Sequence, residues 1–324
     1  MPRSFSGGSS RSFVSRMVGR LLAAFYRSVR ARARRRAISW YARPVYRVIA
    51  AVMAATLLAG CAAHARQTVR FSSITPGAPL TIEATMVRPA GPGPFPAVVQ
   101  LHGCAGLEAQ SFRWARWLAE RGYVALVVDS FGPRGVKGDC RSGPDDPPIT
   151  ARFDDAFGAL VYLQSRPDVR ADRVAAIGWS QGGVYAMAVI NGPSLDRARR
   201  RGVAMPATGF AAGIGVYPGG CFSLVNEQVV RPLLVLIGEA DDWTPAAKCR
   251  EMVEAMRGRG ADATIVTYPG AYHYFDVEGQ RLEVQTQVEN DSRAGGFGAT
   301  VSYQAEAASD AHRRVEEFLA RHLK

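Results

Sequence analysis

The segment GWSQGG at residues 178–183 has the residue types and spacing of a serine nucleophile. Its G-x-S-x-G pattern centres on Ser180 and lies between a predicted strand at 174–177 and a predicted helix at 182–191. Glycines two residues either side of the serine permit a tight, strained turn that exposes the hydroxyl. A pattern this short arises by chance in a chain with 33 glycines. The prediction of a nucleophile elbow therefore rests on the position of the pattern between a predicted strand and a predicted helix.

A serine hydroxyl becomes a useful nucleophile when a base accepts its proton and a carboxylate orients that base. The chain has five histidines, so the base can be sought by elimination. Four of them suit other roles. His64 lies in the predicted cleavage region, and His312 and His322 lie on the predicted terminal helix. His102 lies at the end of a predicted strand, where it would shape a loop. His273, in the loop after the last predicted strand, is the predicted base.

The orienting carboxylate is expected just after the predicted strand at 233–237, because the chain order in this architecture is Ser, acid, His. The segment GEADDWTP at 238–245 supplies three candidates. Asp241 and Asp242 compete for the role, and Glu239 ranks third. The residues by themselves leave the choice between the two aspartates open.

A tetrahedral oxyanion requires two preorganised N–H donors. One is expected from Gln181, directly after the nucleophile, and the other from the loop LHGCAG at 101–106, where the N–H of Cys104 is the prediction. No cofactor or metal is needed for such a reaction. The cysteines have no C-x-x-C spacing and histidine is scarce, so no zinc site is predicted.

The elements that must position these residues alternate between short apolar runs and amphipathic segments. Short buried strands alternating with helices predict a single α/β domain with a mainly parallel sheet of about eight strands and helices on both faces. The predicted strands are 67–72, 80–88, 97–101, 124–128, 174–177, 211–216, 233–237 and 264–268. The predicted helices lie near 110–121, 151–165, 182–191, 244–257 and 308–322.

Residues 277–306 depart from this rhythm because they are polar and contain several glycines. Such a segment suits either a lid over the active site or a mobile excursion. We expect the mobile excursion.

The net charge of +12 belongs to the first 60 residues, which contain twelve arginines and no acidic residue. Removing those twelve leaves 28 basic residues against 28 acidic ones. A nucleic-acid-binding protein needs its basic excess on the folded surface, so the charge argues against this class. The charge indicates targeting instead.

The eleven uncharged residues at 48–58 are typical of a signal-peptide core. They are too few for the roughly 20 apolar residues that span a bilayer. The segment LLAGC at 57–61 resembles the lipobox of bacterial lipoproteins, in which Cys61 would be lipidated. The alternative is cleavage after Ala-His-Ala at 63–65, which would release a soluble periplasmic protein. The predicted organisation is a signal peptide (1–60), a lipidated linker (61–66) and one catalytic domain (67–324).

Export would place the mature chain where disulfides persist. Apart from Cys61, four cysteines remain, and four allow three pairings. We predict Cys104–Cys140 and Cys221–Cys249, because each pair would join loops expected on the same edge of the sheet. Four free buried thiols are the alternative.

Five ordered segments resemble the dienelactone hydrolase family of α/β-hydrolases: LHGCAGL, VDSFGPRG, GWSQGG, GEADDWTP and YPGAYHYFD. The similarity covers about residues 68–324 and implies the α/β-hydrolase fold. It favours Asp241 over Asp242, because the family acid usually lies three residues after a strand-ending glycine. It also implies a basic residue for a substrate carboxylate, for which Arg134 is the candidate. The namesake enzymes use a cysteine nucleophile, whereas this chain has Ser180, which argues against dienelactone as the substrate.

These patterns predict an exported serine hydrolase that cleaves a small-molecule ester, lactone or thioester through an acyl-enzyme on Ser180. The protein would face the periplasm and be attached to a membrane by its N-terminal lipid. Trp179, Trp243 and Tyr274 flank the triad positions and are predicted to line a pocket for an apolar or aromatic acyl group. A peptidase or amidase on the same triad is one alternative, and a non-catalytic envelope lipoprotein that uses the fold for binding is the other.

Overall fold

A computed structural model describes residues 66–136, 138, 140–141 and 149–324 of the chain. The predicted signal peptide and the predicted lipidation site at Cys61 lie outside these residues. No helix in the described ranges combines the length and the apolar content that a membrane crossing needs.

The centre of the domain is an eight-stranded sheet with the order β1-β2-β4-β3-β5-β6-β7-β8. Strands β1 and β2 and strands β2 and β4 pair antiparallel, and all other neighbours are parallel. The predicted mainly parallel sheet of eight strands is confirmed. The strands are β1 Arg66–Ser72, β2 Thr81–Val87, β3 Phe95–Leu101, β4 Val124–Asp129, β5 Val169–Trp179, β6 Ala212–Val216, β7 Leu233–Gly238 and β8 Ala263–Tyr268.

Seven α-helices in the described residues connect or follow these strands. They are α1 Ala109–Glu120, α2 Ile149–Gln164, α3 Gln181–Ala188, α4 Gly192–Arg200, α5 Cys221–Leu224, α6 Ala246–Gly258 and α7 Ala305–Leu323. Every residue of β6 and β7 is buried. Because successive side chains of a strand point to opposite faces, full burial means that both faces of the sheet are covered. This is the layered α/β architecture that the apolar runs predict.

The parallel pairing brings the predicted site residues to one edge of the sheet. Strands β3 and β5 are neighbours, with Leu101 opposite Gly178, so the loop after β3 and the Ser180 turn leave the sheet side by side. Strands β7 and β8 are also neighbours, with Gly238 opposite Tyr268. The acid loop and the histidine loop therefore begin at the same edge, where ligands of open α/β sheets bind.

The helix predicted at 182–191 ends three residues early, and a second helix that was not predicted follows it. Helix α3 ends at Ala188, and α4 begins after Asn191, whose side-chain oxygen accepts a hydrogen bond from the N–H of Ser194 at 2.9 Å. Asparagine is among the strongest N-caps, and Pro193 suits the first helical turn. The Asn-Gly-Pro sequence was the available signal for this boundary.

The expectation of a mobile excursion at 277–306 differs from the structure. The segment contains a second, two-stranded antiparallel sheet of β9 (Glu283–Glu289) and β10 (Phe297–Val301), which we call the hairpin. Strand β9 is polar at five of its seven positions and β10 is only five residues long, so the sequence lacks a sustained apolar alternation that would identify half-buried strands.

Both predicted disulfides are present. Cys104 is bonded to Cys140 and Cys221 to Cys249, with Sγ–Sγ distances of 2.03 and 2.08 Å. The first ties the loop after β3 to residue 140, and the second ties α5 to α6.

A domain beginning at Arg66 is expected to show no reactive thiol when it is denatured without reductant, and four after reduction. The sequence separations are 36 and 28 residues. Loops of this length correspond to about 3–4 kcal/mol of stabilisation per disulfide in the chain-entropy model, so reduction should lower the Tm markedly. Thiol titration in denaturant and thermal unfolding with and without reductant are the measurements. Four titratable thiols before reduction would contradict the pairing.

Candidate active site

Ser180 lies in a strained turn between β5 and α3. Its backbone has φ 53° and ψ −118°, a left-handed conformation that side-chain-bearing residues rarely adopt. The turn is held by the N–H of Ser180, which donates to Val216 O at 3.0 Å, and by the N–H of Gly183, which donates to Ser180 O at 2.9 Å. The side chain thereby projects from the end of the sheet.

Two glycines make this turn sterically feasible. A Cβ added at Gly182 would lie 2.0 Å from the carbonyl oxygen of Leu101, and a Cβ at Gly178 would lie 2.0 Å from the carbonyl oxygen of Gly182. No side chain fits at either position. The two glycines of the G-x-S-x-G pattern are therefore required by close backbone contacts, one within the serine turn and one between that turn and the end of β3.

His273 and Asp241 form a buried pair beside this turn. The Nδ1 atom of His273 is 2.7 Å from Oδ2 of Asp241, and neither side chain is accessible to solvent. The other carboxylate oxygen accepts hydrogen bonds from the N–H groups of Trp243, at 3.0 Å, and Thr244, at 2.8 Å. Thr244 Oγ1 also donates to Oδ2 at 2.9 Å. The carboxylate is thus fixed in position by the loop that carries it.

The Asp241 contact determines which nitrogen of His273 is available for proton transfer. Because an ionised carboxylate only accepts, Nδ1 carries the proton and Nε2 presents its lone pair. Nε2 is buried and has no hydrogen-bond partner among the described residues, Ser180 Oγ included. Catalytic hydrogen bonds are often long before substrate binds. An unpartnered basic nitrogen at the same edge of the sheet as a strained serine is suited to accept the serine proton once the two side chains meet.

The two competing aspartates have different partners. Asp242 accepts hydrogen bonds from the N–H of Thr300 at 2.8 Å and from its hydroxyl at 2.7 Å, and it pairs with Arg293. Burial acts to raise the pKa of Asp242, but the bonds from Thr300 and Arg293 outweigh it and lower the pKa overall. Asp242 therefore attaches the hairpin to the acid loop. Glu239 contacts Arg250 and Thr267 at the surface.

The hairpin forms one wall of the site. Trp243 Nε1 donates to Glu289 O at 2.8 Å, and Glu289 N donates to Cys140 O at 3.2 Å. Directly after β10, Ser302 N donates to His273 O at 3.0 Å. The hairpin therefore joins the acid loop, the histidine loop and the disulfide-bonded residue 140. Sequence reasoning missed these roles because the hairpin itself was not predicted.

A cavity of about 790 Å³ opens in front of Ser180. Its described lining includes Cys104 and Gln181, the apolar side chains of Val184, Phe222 and Trp243, and residues of the hairpin, among them Glu289, Asn290 and Asp291. In the described ranges, no group of three or more His, Cys, Asp and Glu side chains is placed to hold a metal ion.

Of the four predicted substrate-binding residues, only Trp243 lines this cavity. Trp179 is buried, and its Nε1 donates to Asp276 at 2.9 Å. Tyr274 is buried against His273, with a ring-centroid distance of 5.3 Å. Arg134 makes two hydrogen bonds to the buried carboxylate of Asp155, at 2.7 and 2.9 Å. The predictions for Trp179, Tyr274 and Arg134 are therefore corrected: these side chains belong to the framework of the site.

The loop after β3 places Cys104 beside the serine turn. The N–H of Gln181, the first residue of α3, has no acceptor within its helix, as at every helix start. The ring of His102 orients the neighbouring peptide, because its Nδ1–H donates to Gly103 O at 2.7 Å. In a trans peptide the N–H points opposite to the C=O, so this bond fixes the direction of the Cys104 N–H.

His102 keeps its neutral form in this role. Burial, followed by the charge of Arg152, lowers the pKa of His102 to about 3. Its Nε2 accepts a hydrogen bond from the N–H of Ser130 at 3.3 Å, which requires the proton on Nδ1. The sequence prediction that His102 shapes a loop agrees with this placement.

Asp276 is a buried carboxylate that sequence reasoning did not single out. It accepts hydrogen bonds from four side chains: Gln110, Trp114, Trp179 and Tyr217. The Tyr217 ring lies 4.4 Å from the His273 ring. Burial, with the Asp276 charge second, raises the pKa of Tyr217. Asp276 therefore organises the layer behind the histidine, and its partners come from distant segments that no local pattern connects.

Comparisons with known proteins agree with this fold. A Synechocystis sp. protein named carboxymethylenebutenolidase is 24% identical over 263 residues, which cover 77% of this chain and 95% of that protein. The solved structure of esterase 2 from Thermogutta terrifontis covers 79% of this chain and 94% of its own, with 17% identity and a TM-score of 0.56. A dienelactone hydrolase from Anabaena variabilis covers 81% of this chain and 100% of its own, with 17% identity and a TM-score of 0.51.

The identities to the solved structures are low, so these two likenesses support the fold alone. The family assignment rests on a sequence model of the dienelactone hydrolase family, which matches residues 82–323 and thus spans β2 to α7. The chain belongs to the dienelactone hydrolase family.

Proposed function

We propose that this protein is a serine hydrolase that cleaves a small-molecule ester, lactone or thioester through an acyl-enzyme on Ser180. The observation that carries the proposal is the strained Ser180 turn at a cavity, at the same edge of the sheet as a buried His273–Asp241 pair whose Nε2 has no hydrogen-bond partner among the described residues. A buried imidazole and a buried carboxylate bonded to each other are costly to maintain without a use.

The proposed reaction has two half-reactions. In the first, Ser180 Oγ attacks the carbonyl carbon of the substrate while His273 Nε2 accepts the hydroxyl proton. The carbonyl oxygen becomes an oxyanion, which accepts hydrogen bonds from the N–H groups of Cys104 and Gln181. The intermediate collapses, and His273 protonates the departing alkoxide or thiolate. In the second, water attacks the acyl-enzyme with His273 as base, and Ser180 leaves with the returned proton. Asp241 stabilises the imidazolium in both halves.

The proposed substrate carries an apolar group beside its carbonyl. Trp243, Val184 and Phe222 supply an apolar wall to the cavity, and Phe222 is 66% exposed there. The name of the Synechocystis relative refers to a butenolide, which is a lactone. Because Arg134 is bonded to Asp155, it is unsuited to hold a substrate carboxylate. Esters, lactones and thioesters with an apolar group beside the carbonyl are therefore the proposed class, with a peptide or amide as the alternative on the same triad.

We also propose that the catalytic domain is exported and attached to a membrane through lipid on Cys61, with a soluble periplasmic form as the alternative. The LLAGC sequence after the apolar run supports lipidation. The two disulfides are what an oxidising compartment permits.

Wild-type domain is expected to react covalently with a fluorophosphonate probe. Ser180→Ala should abolish labelling, and His273→Ala should slow it by about 10³-fold or more, because the base is lost. Thermogutta terrifontis esterase 2 is described as phosphorylated by paraoxon, which supports an organophosphorus probe for this fold. Labelling is followed by gel fluorescence and by mass spectrometry of the modified peptide.

The exposed Ser223, outside the cavity lining, provides the matched control, so Ser223→Ala should label like wild type. Failure of the folded wild-type domain to label would refute the serine-hydrolase proposal and favour a binding protein. Hydrolysis of 4-nitrophenyl esters without hydrolysis of peptide 4-nitroanilides distinguishes the esterase from the peptidase alternative.

Asp241→Asn is expected to reduce kcat by about 10⁴-fold, because an amide at this position no longer holds the imidazole in the required tautomer. Asp242→Asn is the matched control, since it changes the adjacent carboxylate and weakens only the hairpin attachment. Its effect on kcat should stay below about tenfold, or ~1.4 kcal/mol. Steady-state kinetics on a 4-nitrophenyl ester measure both. A larger loss in Asp242→Asn than in Asp241→Asn would reverse the assignment of the acid.

Full-length protein expressed in a bacterium with lipoprotein export is expected to yield a membrane-associated chain that begins with a lipidated Cys61. Cys61→Ala should shift the protein from the membrane fraction to the soluble periplasmic fraction or leave it unprocessed, since the thiol that receives the lipid is gone. Intact-mass analysis of the mature N-terminus is the measurement. An unmodified chain beginning at Arg66 would instead support cleavage after residues 63–65.

A further inference from the structure

Arg152 on α2 is a buried cation whose hydrogen bonds, in the described part of the chain, go to neutral groups rather than to a carboxylate. It is 2% exposed, and in the described part of the chain no carboxylate forms a hydrogen bond with it. The nearby Asp155 attracts it, but the hydrogen bonds of that carboxylate are made with Arg134 and Ser130. A buried guanidinium is costly unless its N–H groups are used.

The partners of Arg152 belong to the two segments that meet at Ser180. Its Nη1 donates to the side-chain oxygen of Gln181, and its Nη2 donates to His102 O at 2.6 Å. The guanidinium carbon also lies 4.6 Å from the ring centroid of Tyr185 and 5.0 Å from that of Phe131. One planar cation therefore connects the loop after β3 with the start of α3.

We propose that Arg152 is a positioning residue that locks together the two segments whose backbone N–H groups form the oxyanion hole. The inference rests on the proposed function, because it assigns Arg152 a role in that reaction. Neither the G-x-S-x-G pattern nor any local pattern around residue 152 indicates this connection.

The geometry explains why a link is required. The two N–H donors, of Cys104 and Gln181, lie on different segments, so the separation between them depends on how firmly those segments are held. The disulfide at Cys104 restrains one segment from its outer side, and Arg152 restrains both from within the protein. The fork of a guanidinium holds two acceptors in a fixed relation, which the flexible ammonium of lysine does not.

The charge of Arg152 adds a second contribution. It lies in a water-excluded region next to the residues that receive the oxyanion, where electrostatic interactions are stronger than in water. A positive charge there favours the tetrahedral state, which carries a negative charge, over the neutral ester. Arg152 is therefore expected to act on kcat more than on KM.

A purely structural role is the competing explanation, and the chain offers a matched control for it. Arg201 pairs with Asp154, a buried carboxylate on the same helix, at 2.7 and 3.2 Å. Arg201 contacts neither His102 nor Gln181 through the hydrogen bonds of the described residues. Arg201→Met therefore removes a cation that anchors α2 and leaves the oxyanion segments intact.

The test compares Arg152→Met, Arg152→Lys and Arg201→Met in the domain beginning at Arg66. On a 4-nitrophenyl ester, Arg152→Met should lose about 10- to 100-fold in kcat with KM within about threefold, because donors of the oxyanion hole are displaced without loss of ground-state contacts. Arg152→Lys, which keeps the charge and one of the bonds, should recover part of the loss. Arg201→Met should keep wild-type kcat even where its Tm falls.

A second readout is specific to the oxyanion. A trifluoromethyl ketone binds serine hydrolases as a tetrahedral adduct with a negatively charged oxygen, whereas the matching methyl carbinol does not. The inhibition constant of the ketone should rise in Arg152→Met in parallel with the loss of kcat, and that of the carbinol should stay unchanged. Gln181→Ala, which removes one acceptor and leaves Arg152 in place, covers the case in which Arg152→Met does not fold. The fall in kcat from Arg152→Lys should be smaller in the Gln181→Ala background than in wild type.

The outcomes separate this inference from the proposed function. A wild-type domain that is not labelled by fluorophosphonate refutes the serine-hydrolase proposal, and the role of Arg152 falls with it. A labelled wild type together with an Arg152→Met variant that matches Arg201→Met in kcat and in ketone inhibition overturns only the inference about Arg152. Equal effects of Arg152→Lys in the wild-type and Gln181→Ala backgrounds would also overturn it.

Discussion

The close contact between the serine turn and the end of β3 is the constraint on which the site depends. Gly182 meets the carbonyl oxygen of Leu101 at a distance that excludes any side chain, and the parallel pairing of β3 with β5 sets that approach. The strained conformation of Ser180 persists because the surrounding sheet fixes the residues on both sides of it. The same contact brings the β3 loop to the start of α3. The proposed nucleophile and the proposed oxyanion donors are therefore positioned by one packing arrangement, to which the hydrogen bonds of Arg152 contribute.

The sequence carried most of the information about this edge of the sheet, for a physical reason. Elements such as β5 and the Ser180 turn depend on residues that are close together in the sequence. Apolar runs and glycine spacing therefore identify them. Asp241 was favoured through its distance from the glycine that ends β7, and its side chain does meet His273. The disulfides followed from the expectation that parallel strands end at one edge.

The residues that were missed or misassigned depend on contacts between distant segments. Asp276 accepts hydrogen bonds from four side chains on three separate segments. Arg152 joins the loop after β3 to the start of α3, at His102 and Gln181, which are 79 positions apart in the chain. The periodicity of apolar residues in the sequence does not reveal contacts between distant segments. Arg134 was assigned by position to the substrate, whereas its guanidinium is bonded to Asp155. A charged side chain near a site has several nearby partners, and only the packed structure decides among them.

The segment that contains the hairpin begins and ends at nearly the same place on the domain. Val301 and Ser302 lie against His273, and the N–H of Gln304 donates to Phe275 O at 2.9 Å, so about 30 residues are inserted across a narrow junction between β8 and α7. An insertion of this kind can change in length or sequence without moving a strand of the main sheet. The wall of the cavity is thus separable from the reacting groups. In evolution, such a module lets a lineage exchange one substrate for another while the catalytic chemistry is inherited unchanged.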